Sequence, residues 1–106
     1  MILVELNNQE MELKYDYNSI CAMEEKMGKG INAIMQEDSA GLNMIRVLLW
    51  AGLRHAYPTL KIDTVGTWIF EEIKKGSNKL EIISKKCMEA LVQSGILGDK
   101  TVNQGE

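Results

Sequence analysis

The sequence predicts an α+β fold that is mostly α: an N-terminal β-hairpin packed on a bundle of about four helices, with one helix buried at the centre. Three observations lead there. Apolar and polar residues alternate twice near the N-terminus, later segments carry apolar residues at helical spacing, and one of those segments, 42–57, is apolar on nearly every side. A chain of 106 residues can bury one core without disulfides or metal, but not two. Residues 1–95 therefore read as a single compact domain and 96–106 as a flexible C-terminal tail.

Ile2, Val4 and Leu6 alternate with Leu3 and Glu5, and Met11, Leu13, Tyr15 and Tyr17 alternate with Glu12, Lys14 and Asp16. With Asn7-Asn8-Gln9-Glu10 between them, the two runs read as a hairpin over 2–17, its Asn tip tolerating left-handed backbone. A lone two-stranded hairpin is marginal in water, so its apolar face must lie on helices. The first helix spans about 18–28, capped by Asn18 or Ser19 and stopped by Gly28. Ile31, Ile34 and Met35 add a further turn or two before the break at Asp38-Ser39-Ala40-Gly41. The central helix, about 39–57, carries Leu42, Ile45, Leu49, Leu53 and Ala56 on one stripe and ends before Pro58, with Met44, Val47, Leu48 and Trp50 filling other angles. A helix over 63–75, capped by Asp63 or Thr64, presents Val65, Trp68, Ile69 and Ile73 and closes with Lys74 and Lys75 before Gly76. The last, over 78–94, starts at Ser77 or Asn78, lines up Leu80, Ile83, Cys87, Ala90 and Leu91, and ends at Gly95.

Twelve Lys plus Arg against fifteen Asp plus Glu, a net charge of −3, argues against a phosphate-backbone binder with a basic surface. The first residues lack the pattern of a secretory signal, and the most apolar stretch is interrupted by Asn43, Arg46, Arg54 and His55 short of the ~18 apolar residues of a membrane span. A cytoplasmic protein without membrane association is expected. Cys21 and Cys87 have no CxxC partner and read as reduced, buried small hydrophobes. One His, two Cys and no HExxH, CxxC or DxDxDG spacing leave no catalytic, metal or cofactor set, so no cofactor is expected. His55 sits where an imidazolium can meet the last carbonyls of the central helix, a structural role. Gly28-Lys29-Gly30 follows a helix rather than a strand and reads as a helix stop, not a phosphate loop. Glu24-Glu25 and Glu71-Glu72 are helical neighbours about 100° apart and read as solvated faces. The helices flanking Gly76 could form a helix-turn-helix, but the second would offer Leu80, Glu81, Ile82 and Ile83 to DNA where basic or amide side chains are needed.

Seven methionines suit an irregular core or a surface that repacks against partners, the core being the main reading. The aromatics Trp50, Trp68, Phe70 and Tyr57 are more than an interior of this size obviously needs, and aromatics are enriched at binding hot spots. Phe70 lies off the stripe of Val65, Trp68 and Ile69 and is the better interface candidate.

Three motifs in order carry a resemblance: Tyr15-Asp16-Tyr17-Asn18-Ser19-Ile20-Cys21-Ala22-Met23-Glu24-Glu25-Lys26-Met27-Gly28, then Leu48-Leu49-Trp50-Ala51-Gly52-Leu53-Arg54-His55, then Thr64-Val65-Gly66. Together with the hairpin before them, they resemble the tail assembly chaperones of long-tailed bacteriophages and prophages over roughly residues 1–92. The resemblance implies a non-enzymatic protein of the host bacterial cytoplasm. It would hold the helical, aggregation-prone tape measure protein, help recruit tail tube protein around it during virion morphogenesis, and be absent from the mature virion. Homo-oligomers and a longer frameshifted product are also in keeping with it. Trp50, Arg54, Tyr57 and Phe70 are the expected partner-binding residues. Two other readings stand beside it, a structural tail component of the virion and a small helix-turn-helix DNA-binding regulator.

Overall fold

Asn7 and Asn8 both take positive φ, 52° and 62°, the left-handed pair that a two-residue type I′ turn requires and asparagine accepts. In the computed structural model, which describes residues 1–36 and 41–97, this turn joins β1 (Ile2–Leu6) to β2 (Gln9–Leu13). The strands run antiparallel with Leu6 opposite Gln9, Val4 opposite Met11 and Ile2 opposite Leu13. Val4, Leu6, Met11 and Leu13 are buried, while Leu3 pairs with Glu12 and Glu5 with Glu10 on the other face. The turn is tighter than the alternation implies, so β2 takes in Gln9 and Glu10 and stops at Leu13 instead of continuing to Tyr17.

What stops it is a helix start. Asp16, not Asn18 or Ser19, caps α1 (Tyr17–Met27). Its carboxylate accepts the Ser19 N–H at 2.8 Å, and the Ser19 hydroxyl accepts the Asp16 N–H at 2.8 Å, a reciprocal capping box. The bond from the Ser19 backbone holds the Asp16 carboxyl below its ordinary range. Tyr17, the last residue of the expected apolar alternation, is thereby helical and exposed. Gly28 ends α1 at φ 74°, and Glu24 reaches past it to accept the Ile31 N–H at 2.6 Å, capping the short α2 (Ile31–Met35). Glu24 is therefore a connector as well as a surface residue.

α3 (Leu42–Leu53) is the hub: from Met44 to Leu53 every residue but the half-exposed Arg46 is buried, and the helix touches α1, α4, α5 and β2. It is shorter than the expected 39–57. Residues 37–40 lie outside the described residues, and at the other end Pro58 disfavours helix at Tyr57. The chain instead turns, with Tyr57 N–H donating to Leu53 C=O at 3.0 Å and Leu60 N–H to Tyr57 C=O at 3.1 Å. α4 (Ile62–Lys75) follows Lys61 with no side-chain cap, Asp63 serving the helix dipole from inside the first turn. α5 (Lys79–Ser94) buries Ile83, Cys87, Ala90 and Leu91 and ends at Gly95 in the left-handed conformation. Ile96, within the expected tail, packs half-buried on the core; residues 98–106 of that expected tail lie outside the described residues. Among the described residues no helix is long and apolar enough to cross a membrane.

Glu72 corrects another expectation. It is 2% exposed, not solvated, because Lys75 closes over it at 3.0 Å and also donates to the Asn8 side chain at 3.1 Å. The hairpin tip is thus tied to the end of α4 through a paired buried carboxylate. Glu71 is exposed as expected and pairs with Lys74 at 3.4 Å.

The tightest contact in the fold is where β2 leaves the sheet along α3. Lys14 N–H donates to Gly52 C=O at 2.9 Å, the buried Tyr15 hydroxyl donates to Leu48 C=O at 2.5 Å, and His55 Nε2 lies 2.8 Å from Glu12 C=O, so that nitrogen carries the proton. His55 thus binds the strand rather than the last carbonyls of its own helix. A Cβ on Gly52 would sit 2.9 Å from Leu13 Cδ2 and from Tyr15 Cζ. Both neighbours are core atoms with no room to retreat. Gly52→Ala should therefore destabilise the protein by about 1–3 kcal/mol in denaturant titration despite alanine's better helix propensity. Gly66→Ala, which meets the flexible Arg46 side chain at 3.2 Å, should stabilise by up to about 1 kcal/mol or be neutral. Equal effects at the two glycines would contradict this packing.

Candidate protein-docking groove

On α4 the buried stripe runs through Val65, Ile69 and Glu72, so Phe70, about 100° round from Ile69, faces outward. It is 60% exposed. One turn earlier Gly66 carries no side chain, and the gap is flanked by the first turns of α3 and α5. The result is a groove of about 320 Å³ lined mainly by Leu42, Arg46, Ile69, Phe70, Ile73 and Leu80. Leu42, placed by periodicity on the buried stripe of α3, is 70% exposed there because it occupies the first helical residue, beyond the reach of the core.

Cations border the apolar lining. Lys74 Nζ lies 5.1 Å from the centre of the Phe70 ring. Arg46 crosses beside Gly66, donating to Asn43 Oδ1 at 2.8 Å and approaching Asp63 at 3.7 Å. Its Nε–H is buried and has no hydrogen-bond partner among the described residues.

The four expected binding residues do not form one site. Trp50 is only 8% exposed. Its indole N–H donates to Leu60 C=O at 2.8 Å, and the Arg54 guanidinium and Lys26 ammonium lie 5.0 and 5.7 Å from its ring centre. Trp50 and Arg54 are thus brought together, but to pin the turn after α3. Tyr57 is half-buried in that turn, beside Pro58, Leu60 and Thr64. Phe70 alone lies in the groove. Leu42 and Leu80 were not singled out as surface residues. The signal for Leu42 was its position directly after a helix break, and for Leu80 its place in the first turn of α5.

The remaining reactive side chains are apart from the groove. Cys21 is exposed, against expectation, because α1 turns it away from the buried Ile20 and Met23; Cys87 is fully buried. Burial pushes the Cys87 thiol up to about 12 and raises the neighbouring Tyr15 hydroxyl as well. Among the described residues no three or more His, Cys, Asp or Glu side chains are placed to hold a metal ion. With a thiol-specific alkylating reagent near pH 8, the native protein should gain one adduct, on Cys21, and a second on Cys87 only in denaturant. Mass spectrometry showing two adducts on the native protein would contradict the placement of Cys87.

No protein-family model, curated protein or solved structure matches this chain.

Proposed function

We propose that the protein is a non-enzymatic tail assembly chaperone of a long-tailed phage or prophage, acting in the host bacterial cytoplasm. It holds the tape measure protein through its helices and helps recruit tail tube subunits before leaving the maturing virion. The observation that carries this reading is the open apolar groove with Phe70 and Leu42 standing exposed at its sides. An amphipathic helix laid in such a groove buries these side chains, worth about 1.5–3 kcal/mol each. An acidic side chain on that helix would meet the partly exposed Arg46 guanidinium at the groove's border. The motif resemblance points the same way. The DNA-binding alternative is weaker, because Lys74 and Lys75 are engaged by Glu71 and Glu72 and the first turn of α5 carries the acidic Glu81.

Co-expression with the tape measure protein of the same phage tests the proposal. The tape measure protein should become soluble and co-elute with this chain. Phe70→Asp, at an exposed position that should leave the fold intact, should abolish the complex. If the tape measure protein is no more soluble with the partner than without it, the chaperone reading fails. Peptides of this chain in purified virions would favour a structural tail component instead.

A further inference from the structure

The outer edge of β1 is open. From the two-residue turn outward, Leu6, Val4 and Ile2 exchange ladder bonds with Gln9, Met11 and Leu13. The far edge of β2 confirms that phase, since Glu12 C=O and Lys14 N–H point away from β1 and are taken by His55 and Gly52. The N–H and C=O groups of Leu3 and Glu5 therefore point outward, and no partner for them exists among the described residues. One edge of the hairpin is sealed on α3, and the other presents four unused backbone groups.

The surroundings of that edge define what fits it. A channel of about 300 Å³ runs between β1 and α5, with Ile82, Ile83, Lys79 and Lys86 along its helical side. Ile82 is 40% exposed there. Glu5 and Glu10 line the strand side of the same channel, and neither they nor Glu12 has an ion-pair partner among the described residues. Glu5 lies directly across from Glu10, a like-charge pair that is unfavourable on its own.

We propose that this edge takes up an extended peptide as a third strand, with Lys or Arg on its outward positions and apolar side chains on its inward ones. Backbone pairing to Leu3 and Glu5 supplies the affinity, the basic side chains answer the Glu5 and Glu10 carboxylates, and the apolar ones cover Ile82 and the Lys79 and Lys86 stems. A second copy of this chain is the poorer occupant, because its own Glu5, Glu10 and Glu12 would join the same face. The proposal is independent of the groove at Phe70.

The test uses the full chain and a blocked heptapeptide of alternating Lys and Val. Binding should slow exchange of the Leu3 and Glu5 amides and leave the hairpin ladder unchanged. Replacing the peptide's Lys by Glu, or methylating the backbone nitrogens that face the edge, should weaken binding about tenfold or more. Glu5→Lys should shift preference toward the Glu-containing peptide. Leu3→Pro, which removes an N–H that the ladder does not use, should retain the fold and lose binding. If binding survives backbone methylation, or leaves the Leu3 and Glu5 amides unprotected, the contact is diffuse charge attraction and the proposal is overturned. Protection of those amides without peptide, in step with dimer formation, would assign the edge to a second copy and overturn it as well.

Discussion

The fold depends on the close approach of β2 to α3 at Gly52. A two-stranded sheet has too little buried surface to stand alone, and here its second strand is carried beyond the last ladder pair by bonds to a helix: Lys14 to Gly52, Tyr15 to Leu48, and His55 back to Glu12. The Tyr15 ring fits because residue 52 has no Cβ. From that anchor the chain has no slack, since Asp16 immediately caps α1. The Cys87 thiol of α5 neighbours the Tyr15 hydroxyl in the core, so α5 joins the same contact. Hairpin, α1, α3 and α5 are thus fixed together within a few residues, and Lys75 fixes the hairpin tip to α4.

This arrangement also decides which surfaces remain. Sealing β2 on α3 uses one edge of the hairpin and leaves the edge of β1 free. Centring the core on the middle and end of α3 leaves its first turn outside, so Leu42 has no core to enter and forms an apolar groove with Phe70 and Leu80. The two surfaces differ in chemistry. The groove is apolar with cations at its border, suited to a helix; the strand edge presents backbone groups beside Glu5 and Glu10 with Lys79 and Lys86 across the channel, suited to an extended segment with basic outward positions.

Much of the architecture was legible because alternation and helical periodicity report local structure directly. The period-two runs gave the hairpin, and the all-round apolar segment gave the buried α3. The misreadings share a physical cause, since each turned on a specific side-chain partner that periodicity does not report. Glu72 reads as solvent-facing beside Glu71, yet Lys75 and Asn8 make its burial tolerable. Trp50 reads as a spare aromatic until Leu60 returns to accept its indole N–H. Asp16 looked like the polar phase of a strand and proved to be a cap, because Ser19 three residues on completes the box. Of the expected binding residues, Phe70 was legible from its angle on α4, whereas the groove around it required the spatial meeting of three helices.

Native-state hydrogen exchange at Lys14 tests the central claim most directly. Its amide lies past the last strand pair, and in an isolated hairpin it would exchange as freely as the chain ends. If the β2–α3 contact organises the fold, Lys14 opens only with the whole molecule, at the same free energy as the amides of Leu48 to Gly52. Exchange of Lys14 through local fraying, while those α3 amides stay protected, would contradict the account.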